Sequence, residues 1–367
     1  METLKSTGKI LRGLGSFLTF LYEIIKIGDF SELCLVTSTG MLKRNYLLHL
    51  LSVRLDALRV IQVYPNPELS ELEEQIKKLR QIKITHLIGV GGGSVLDTAK
   101  IFAFMLLTKK NYSLKDVLLA NEKNEFCCEG CIKLSLVPTT SGTGAEITPF
   151  ATVWDSVVSK KFSLDGIYNL ADTIILDPLL LTTVPKEASL FFGLDTISHC
   201  LESLWNRNRT KESQANALLA LKLTLEALPV VLRDLQNLKA REQMQQASFL
   251  AGRAISQTKT ALAHSISYPL SLYFKIPHGL ACSFTLISIY NYISSVSELE
   301  KNDLNKEEIS GAIFFLNSLD LGKKISSYCS KQQAVGLIQE MINPSRADNF
   351  ILGIEVPLQN IIETSFE

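Results

Sequence analysis

Asp195 and His199 are four residues apart in Phe192-Gly193-Leu194-Asp195-Thr196-Ile197-Ser198-His199. On a helix that spacing puts both side chains on one face, a turn apart. His264 lies in a run of helical periodicity, and His278 follows Pro277 and precedes Gly279. A histidine taken alone is more often a hydrogen-bonded structural residue than a ligand. One carboxylate and three imidazoles together, however, suffice to close around a divalent first-row metal. The chain has only five histidines. The other two, His49 and His86, lie in the first half and are expected to be bystanders.

Two glycine-rich turns carry a different chemistry. In the first, Gly91-Gly92-Gly93-Ser94 leads through Asp97 to Lys100, after an apolar run and ahead of an apolar helix. Glycines let a backbone approach a pyrophosphate closely, and a helix N-terminus adds unpaired N–H groups and a favourable dipole. The second turn runs Pro138-Thr139-Thr140-Ser141-Gly142-Thr143-Gly144-Ala145-Glu146. Its four hydroxyls can hydrogen-bond a ribose, an amide or a phosphate. Either turn alone is compatible with an ordinary strand-to-helix connection. Two in one sheet point to a bound nucleotide.

Up to about residue 180, short apolar runs alternate with amphipathic stretches. Strands are expected at 33–37, 58–64, 86–90 and 133–137, and helices at 41–52, 69–82 and 95–107. Such alternation implies a doubly wound, mainly parallel sheet, which binds ligands at the carboxyl ends of its strands. Beyond Pro185 the strand pattern fades. Apolar spacing of three and four predicts helices at 186–205, 212–225, 240–255 and 261–272, and more weakly at 280–292 and 332–341. The expected architecture is an α/β dinucleotide-binding domain over 1–182 and an all-helical domain over 183–367.

Bulk properties narrow the class. The 367 residues are 46% hydrophobic and 20% charged, which excludes a disordered chain. Lys+Arg and Asp+Glu both total 37. A zero balance gives no global field toward nucleic acid or an anionic membrane, so any anionic ligand must be met by local groups. Seven scattered cysteines suggest reduced thiols. The Cys127, Cys128 and Cys131 cluster lacks the second pair that a structural zinc requires, so a loop rim is expected. Lys5, Lys9 and Arg12 precede an apolar stretch over 14–25 that loosely imitates a signal peptide, but Glu23 interrupts it. No run was found to reach the ~18 apolar residues of a membrane span, and a cytoplasmic protein is expected.

Taken in order, these motifs resemble the iron-dependent alcohol dehydrogenase family, whose fold is shared with dehydroquinate synthase. Gly91-Gly92-Gly93-Ser94-x-x-Asp97-x-Ala99-Lys100 is similar to the family's dinucleotide turn, and Pro138-Thr139-Thr140-x-Gly142-Thr143-Gly144-x-Glu146 to its second cofactor turn. Gly193-x-Asp195-x-x-x-His199 and Pro277-His278-Gly279 match its metal signature, with His264 fourteen residues before His278. The resemblance implies metal ligation by Asp195, His199, His264 and His278. The metal would be iron(II), with zinc as the alternative. It also implies NADH or NADPH bound by Gly91, Gly92, Gly93, Ser94, Asp97, Lys100, Thr139, Thr140, Ser141 and Thr143. The metal would act as a Lewis acid on a carbonyl receiving hydride. A homodimer is the expected assembly.

One position departs from the family pattern. Many members have a second histidine four residues after the one at His264, where this chain has Tyr268. The surrounding 258–270 stretch is similar to a subgroup that reduces phosphonoacetaldehyde to 2-hydroxyethylphosphonate. Glu202-Ser203-Leu204-Trp205-Asn206 and Lys161-Phe162-Ser163-Leu164 share that likeness, whereas Cys282 differs from it. Tyr268 and Lys259 are therefore the candidate substrate-side residues, with Arg207 and Arg209 as further cations. Ser38 stands where acidic members bond the adenosine ribose, so NADPH is not excluded, and Lys43 or Arg44 would assist it. A general short primary alcohol or aldehyde is the competing substrate class. A catalytically silent nucleotide or metal binder is a third reading.

Overall fold

A computed structural model describes residues 8–27, 30–55, 57–108, 112–121, 132–158, 160–296 and 307–367. Cys127, Cys128 and Cys131 lie outside the described residues. The chain forms two compact units, Met1–Thr140 with Ala145–Thr183, and Ser141–Gly144 with Val184–Glu367. The second turn expected in the first domain is therefore divided, and its Ser141 and Thr143 belong to the helical unit.

The first unit is built on a six-stranded sheet, every pairing of which is parallel, in the order β1-β8-β5-β4-β2-β3. The strands are β1 Lys9–Arg12, β2 Leu33–Thr37, β3 Val60–Gln62, β4 His86–Gly91, β5 Lys133–Pro138 and β8 Thr173–Leu176. All of β2 and nearly all of β4 and β5 are buried. That is why they read as continuous apolar runs, since helices cover both faces of a parallel sheet. The flanking helices are α1 Ser16–Ile27, α2 Thr39–Arg44, α3 Tyr46–Ser52, α4 Leu69–Leu79, α5 Gly93–Leu107 and α6 Leu114–Asn121. The apolar stretch over 14–25 is α1. Its Phe17, Phe20, Leu21 and Ile24 sit at three- and four-residue spacing and are buried in one core with Leu35, Ile88 and Ile175.

Local chemistry explains several differences from the sequence expectation. The helix expected over 41–52 is broken at Asn45, whose carboxamide accepts from Leu48 N–H and starts a second helix. Asparagine competes for backbone hydrogen bonds in this way and favours caps. The strand expected over 58–64 shrinks to β3 behind a single 3₁₀ turn. An antiparallel hairpin, β6 Phe150–Asp155 with β7 Lys160–Asp165, was not anticipated.

The second unit is helical. It comprises α7 Lys186–Leu204, α8 Lys211–Arg233, α9 Leu238–Thr258, α10 Leu262–Phe274, α11 His278–Ser283, α12 Leu286–Val296 and several short helices beyond residue 306. The helix expected over 280–292 is two, α11 and α12, and that over 332–341 is likewise split, into Lys331–Val335 and Ile338–Met341. By length and mean composition alone, α8 and the segment from His278 to Val296 could cross a membrane. The length of α8 serves the core instead. Ala217, Ala220 and Leu221 join the main cluster with Ile197 and Leu201 of α7, and Leu228 and Val231 pack with Met244 of α9. Gly193 lets α7 and α8 approach closely, because a Cβ there would lie 2.4 Å from Leu228.

Candidate metal centre

Three helices of the second unit converge on Asp195, which lies midway along α7. Its Oδ1 is 3.4 Å from Nε2 of His199 one turn on, 3.5 Å from Nε2 of His264 in the first turn of α10, and 3.7 Å from Nε2 of His278, the first residue of α11. The His199 and His264 rings stack with centroids 4.8 Å apart, and His278 meets His264 edge-on at 5.2 Å. Asp195, His199 and His264 are buried. Gly279 makes the geometry possible: a Cβ there would lie 1.9 Å from the Phe191 carbonyl oxygen. Only glycine lets the start of α11 press against α7 and deliver His278.

The electrostatics favour a cation. Burial alone would raise the Asp195 carboxyl, but His199, His264 and His278 outweigh it and hold the group below the usual carboxylate range. Burial likewise works against charge on His264, yet Glu202 and Asp195 push its pKa up to about 10. Burial wins at His199, whose pKa is lowered despite Asp195.

The hydrogen-bond arrangement tests whether a divalent metal fits. His264 Nδ1 is bonded to a Glu202 carboxylate oxygen at 2.5 Å, while the buried Nε2 has no hydrogen-bond partner. Without a metal, Glu202 and Asp195 favour the charged ring; a metal would displace the Nε2 proton and take that lone pair while Glu202 holds the proton on Nδ1. Donor atoms about 3.5 Å apart correspond to the edges of a coordination polyhedron with bonds of about 2.1 Å. Asp195, His199, His264 and His278 therefore suit the metal that the sequence motif implies.

Two contributors were missed from sequence. Glu202 is fully buried and accepts from the backbone N–H groups of Ala261, Ala263 and His264, as well as holding the His264 ring. It thus caps the otherwise unpaired N-terminus of α10. Its spacing of seven from Asp195 and three from His199 places it on the same face of α7, a pattern available in the sequence. Cys282 is four residues after His278, and its thiol donates to Asp195 Oδ1 at 3.6 Å. Asp195, His264, His278 and Cys282 offer ligand atoms all within 4.8 Å of one another. Burial, then Asp195, raises the Cys282 thiol well above its ordinary value, so it stands as a hydrogen-bond donor.

Tyr268 follows His264 by one turn of α10, and its hydroxyl accepts from Arg346 Nε at 3.3 Å. Lys259 caps the end of α9 and is exposed. Asn206 links two of the candidate cations: its Nδ2 donates to the Lys259 carbonyl, and its own carbonyl accepts from Arg209.

In the first unit, Gly92 caps α5 and Gly93 begins it, directly after β4. A Cβ on Gly91 would lie 2.6 Å from Val95, so the turn closes tightly on its helix. Thr139 N–H donates to the Gly91 carbonyl, and Thr140 lies against Gly92, which brings these turn residues together. Ser38 follows β2, and its hydroxyl caps α2 by accepting from Met41 N–H. Ser94 accepts from Asn66 N–H.

Asp97 and Lys100 do not point toward that turn's mouth. Lys100 is fully buried, and its Nζ donates to Phe150 O at 2.9 Å, Thr148 Oγ1 at 3.1 Å and Asp97 Oδ1 at 3.5 Å. Asp97 Oδ2 accepts from Thr152 N–H at 3.0 Å. Together they pin the β6–β7 hairpin to α5, so their cofactor-binding expectation becomes a structural role. Ser141 is also buried, and its carbonyl accepts from Thr196 of α7. Gly144, at φ 56°, sits so close to α9 that a Cβ would lie 2.6 Å from Gly252. These residues anchor the segment to the helical unit, and Thr143 lies between them. Of the remaining histidines, His86 is bonded to Ser135 at 2.8 Å, and burial lowers its pKa to about 4.

Comparison with known proteins is consistent with this arrangement. Residues 7–178 match the family of iron-containing alcohol dehydrogenases, and residues 190–334 match the C-terminal part of the Fe-containing alcohol dehydrogenase family. The chain is 34% identical over 228 residues to a phosphonoacetaldehyde reductase from Streptomyces viridochromogenes, covering 60% of this chain and 56% of that protein. The chain thus spans little more than half the length of that relative. An iron-containing alcohol dehydrogenase from Thermotoga maritima superposes with a TM-score of 0.81 at 25% identity, covering 99% of both chains. A sulfoacetaldehyde reductase from Bifidobacterium kashiwanohense in complex with NAD+ has the same fold, with a TM-score of 0.80 at 23% identity, over 100% of this chain and 98% of that one. By these matches over both units, the chain belongs to the iron-containing alcohol dehydrogenase family.

Proposed function

We propose that this chain is an NAD(P)-dependent, metal-containing dehydrogenase that interconverts an aldehyde and a primary alcohol. The observation that carries this reading is the cluster of buried Asp195, His199 and His264 with the exposed His278, in which His264 Nε2 has no hydrogen-bond partner. These four side chains would hold iron(II) or zinc, which when bound supplies Lewis acidity toward a carbonyl. Glu202 would keep the His264 proton on Nδ1, leaving Nε2 to meet the metal once its own proton is displaced. The α5 N-terminus behind Gly91, Gly92, Gly93 and Ser94 would receive the cofactor pyrophosphate, with Thr139 and Thr140 beside it. Ser38 places no carboxylate at the end of β2, so a 2′-phosphate is not repelled and NADPH is accepted with NADH. Tyr268, one turn after His264 and with its hydroxyl accepting from Arg346 Nε, would stand on the substrate side of the centre.

The proposed substrate is phosphonoacetaldehyde, reduced to 2-hydroxyethylphosphonate. It is supported by the likeness to phosphonoacetaldehyde reductase and by the cations near α10. A general short aldehyde is the second reading, favoured by the full-length likeness to the Thermotoga alcohol dehydrogenase. NADPH and NADH oxidation, measured after iron or zinc reconstitution on aldehydes with and without a phosphonate, separates the two. Full turnover in a metal-free preparation would sink the metal-dependent reading. A cytoplasmic homodimer completes the proposal, and light scattering on the purified protein tests the assembly.

A further inference from the structure

Cys282 lies one helical turn after His278, so α11 brings a thiol as well as an imidazole to the same carboxylate. The side chain is fully buried. A cysteine has a single rotatable bond before its sulfur, so the backbone largely fixes where the thiol stands. That backbone is itself held, because Gly279 presses the start of α11 against the Phe191 carbonyl of α7.

The sulfur stands 3.6 Å from Asp195 Oδ1 and 3.6 Å from the Gly279 carbonyl oxygen. The Ser198 hydroxyl also borders it and gives its own proton to the Leu194 carbonyl. Of these neighbours only the carboxylate is charged, and a charged acceptor makes the stronger hydrogen bond. The S–H proton therefore belongs with Asp195.

Oδ1 is the hub of the cluster. The Nε2 atoms of His199, His264 and His278 lie 3.4, 3.5 and 3.7 Å from it, and Cys282 approaches the same atom. These contacts stop being equivalent once the site is filled. An imidazole whose Nε2 lone pair is given to a metal has no proton on that nitrogen with which to hold a carboxylate. Glu202 cannot take over, being an acceptor committed to His264 and the α10 backbone. Among the described residues, the Cys282 thiol is then the remaining donor to Asp195. The buried, partnerless Nε2 of His264 marks the centre toward which that carboxylate is aimed.

We propose that Cys282 is a positioning residue for the metal centre, whose thiol donates to Asp195 and keeps the carboxylate aimed at the site when the three imidazoles are occupied. The inference rests on the metal-dependent reading and adds the residue that orients its one anionic ligand. Hydrogen bonds to metal ligands typically contribute about 10–100-fold in affinity. A thiol is a weak donor, so the lower end of that range applies.

The test compares Cys282→Ser, which keeps a donor, with Cys282→Ala and the bulkier Cys282→Val, which remove it, all in the full chain. Zinc and iron(II) affinities are read by chelator competition on the metal-free proteins. Cys282→Ala and Cys282→Val are expected to lose about tenfold, and Cys282→Ser to stay within about threefold of wild type. Cobalt(II) substitution gives a readout without turnover. Its visible bands report coordination geometry, and they should match in wild type and Cys282→Ser but differ in the two variants without a donor. Thermal unfolding of the metal-free proteins separates packing from positioning. A lowered midpoint with unchanged metal affinity would make Cys282 a filler of the core and overturn the proposal. An equal loss of affinity in all three variants would overturn it too. So would a sulfur-to-cobalt charge-transfer band present only in the wild type, because the thiol would then be a ligand itself. A wild type that binds metal but reduces no aldehyde ends the functional reading alone, since the affinity comparison still judges Cys282. A wild type that binds no divalent metal ends both.

Discussion

Each unit contains a buried cluster of titratable groups, and the two are satisfied in opposite ways. In the first, the three donors of the Lys100 ammonium meet three acceptors, and Asp97 takes a backbone N–H in return. Burial lowers the Lys100 pKa and raises that of Asp97, while their mutual attraction opposes both shifts. In the second, Asp195 is surrounded by imidazoles, two of which, His199 and His264, each leave a buried nitrogen without a hydrogen-bond partner. A cluster that satisfies itself holds structure together. A cluster that leaves a lone pair aimed at a shared centre is prepared for a ligand. The sequence motif grouped Asp97 and Lys100 with the cofactor turn, and only the hydrogen-bond inventory separates them from it.

The sharpest test of this contrast is removal of a metal-side imidazole. His264→Ala or His278→Ala is expected to abolish metal binding and turnover while leaving cofactor affinity largely intact, as read by metal analysis and nucleotide fluorescence titration. Lys100→Met is expected to do the converse. It leaves buried carboxylates uncompensated and should destabilise the protein by about 3–5 kcal/mol in urea unfolding, with metal stoichiometry unchanged. Loss of metal in Lys100→Met would erase the distinction between the two clusters.

Smaller effects refine the comparison. Glu202→Gln keeps the shape of the second cluster but weakens its hold on the His264 ring, and metal affinity should fall about 10–100-fold in a chelator competition. Glu146 belongs to the surroundings of Lys100, and burial raises its pKa from 4.5 to about 7, against the pull of its backbone hydrogen bond and Lys100. A carboxyl raised by folding binds its proton more tightly in the native state. Its contribution is fully present below pH 4.5 and is lost as the pH rises to about 7. Relative to Glu146→Gln, the wild type should therefore lose about 3 kcal/mol of stability across that window. A difference independent of pH would show that the carboxyl is not held protonated.

Much of this was legible before any coordinates. Buried parallel strands read as apolar runs, and the i, i+4 spacing of Asp195 and His199 already placed both on one face of α7. The same rule extends to Glu202 on α7 and to Cys282 after His278 on α11, where it went unused. The β6–β7 hairpin was harder to read, because its half-buried strands carry Lys160, Lys161 and Asp165 outside the buried positions and place an aspartate, Asp155, at a buried one. Asn45 was visible, but its preference for capping was outweighed by the apolar spacing around it.

The sequence by itself determined the local facts: which residues bear ligand chemistry, which glycines permit tight turns, and which segments are helical or extended. Such properties depend on near neighbours along the chain and on side-chain type. Tertiary structure alone decided that His264 and His278 reach Asp195 across separate helices, and that Lys100 turns inward to hold a hairpin. It also decided that the Cys282 thiol meets the same carboxylate. Each of these depends on hydrogen bonds between residues far apart in the chain, which no local spacing encodes.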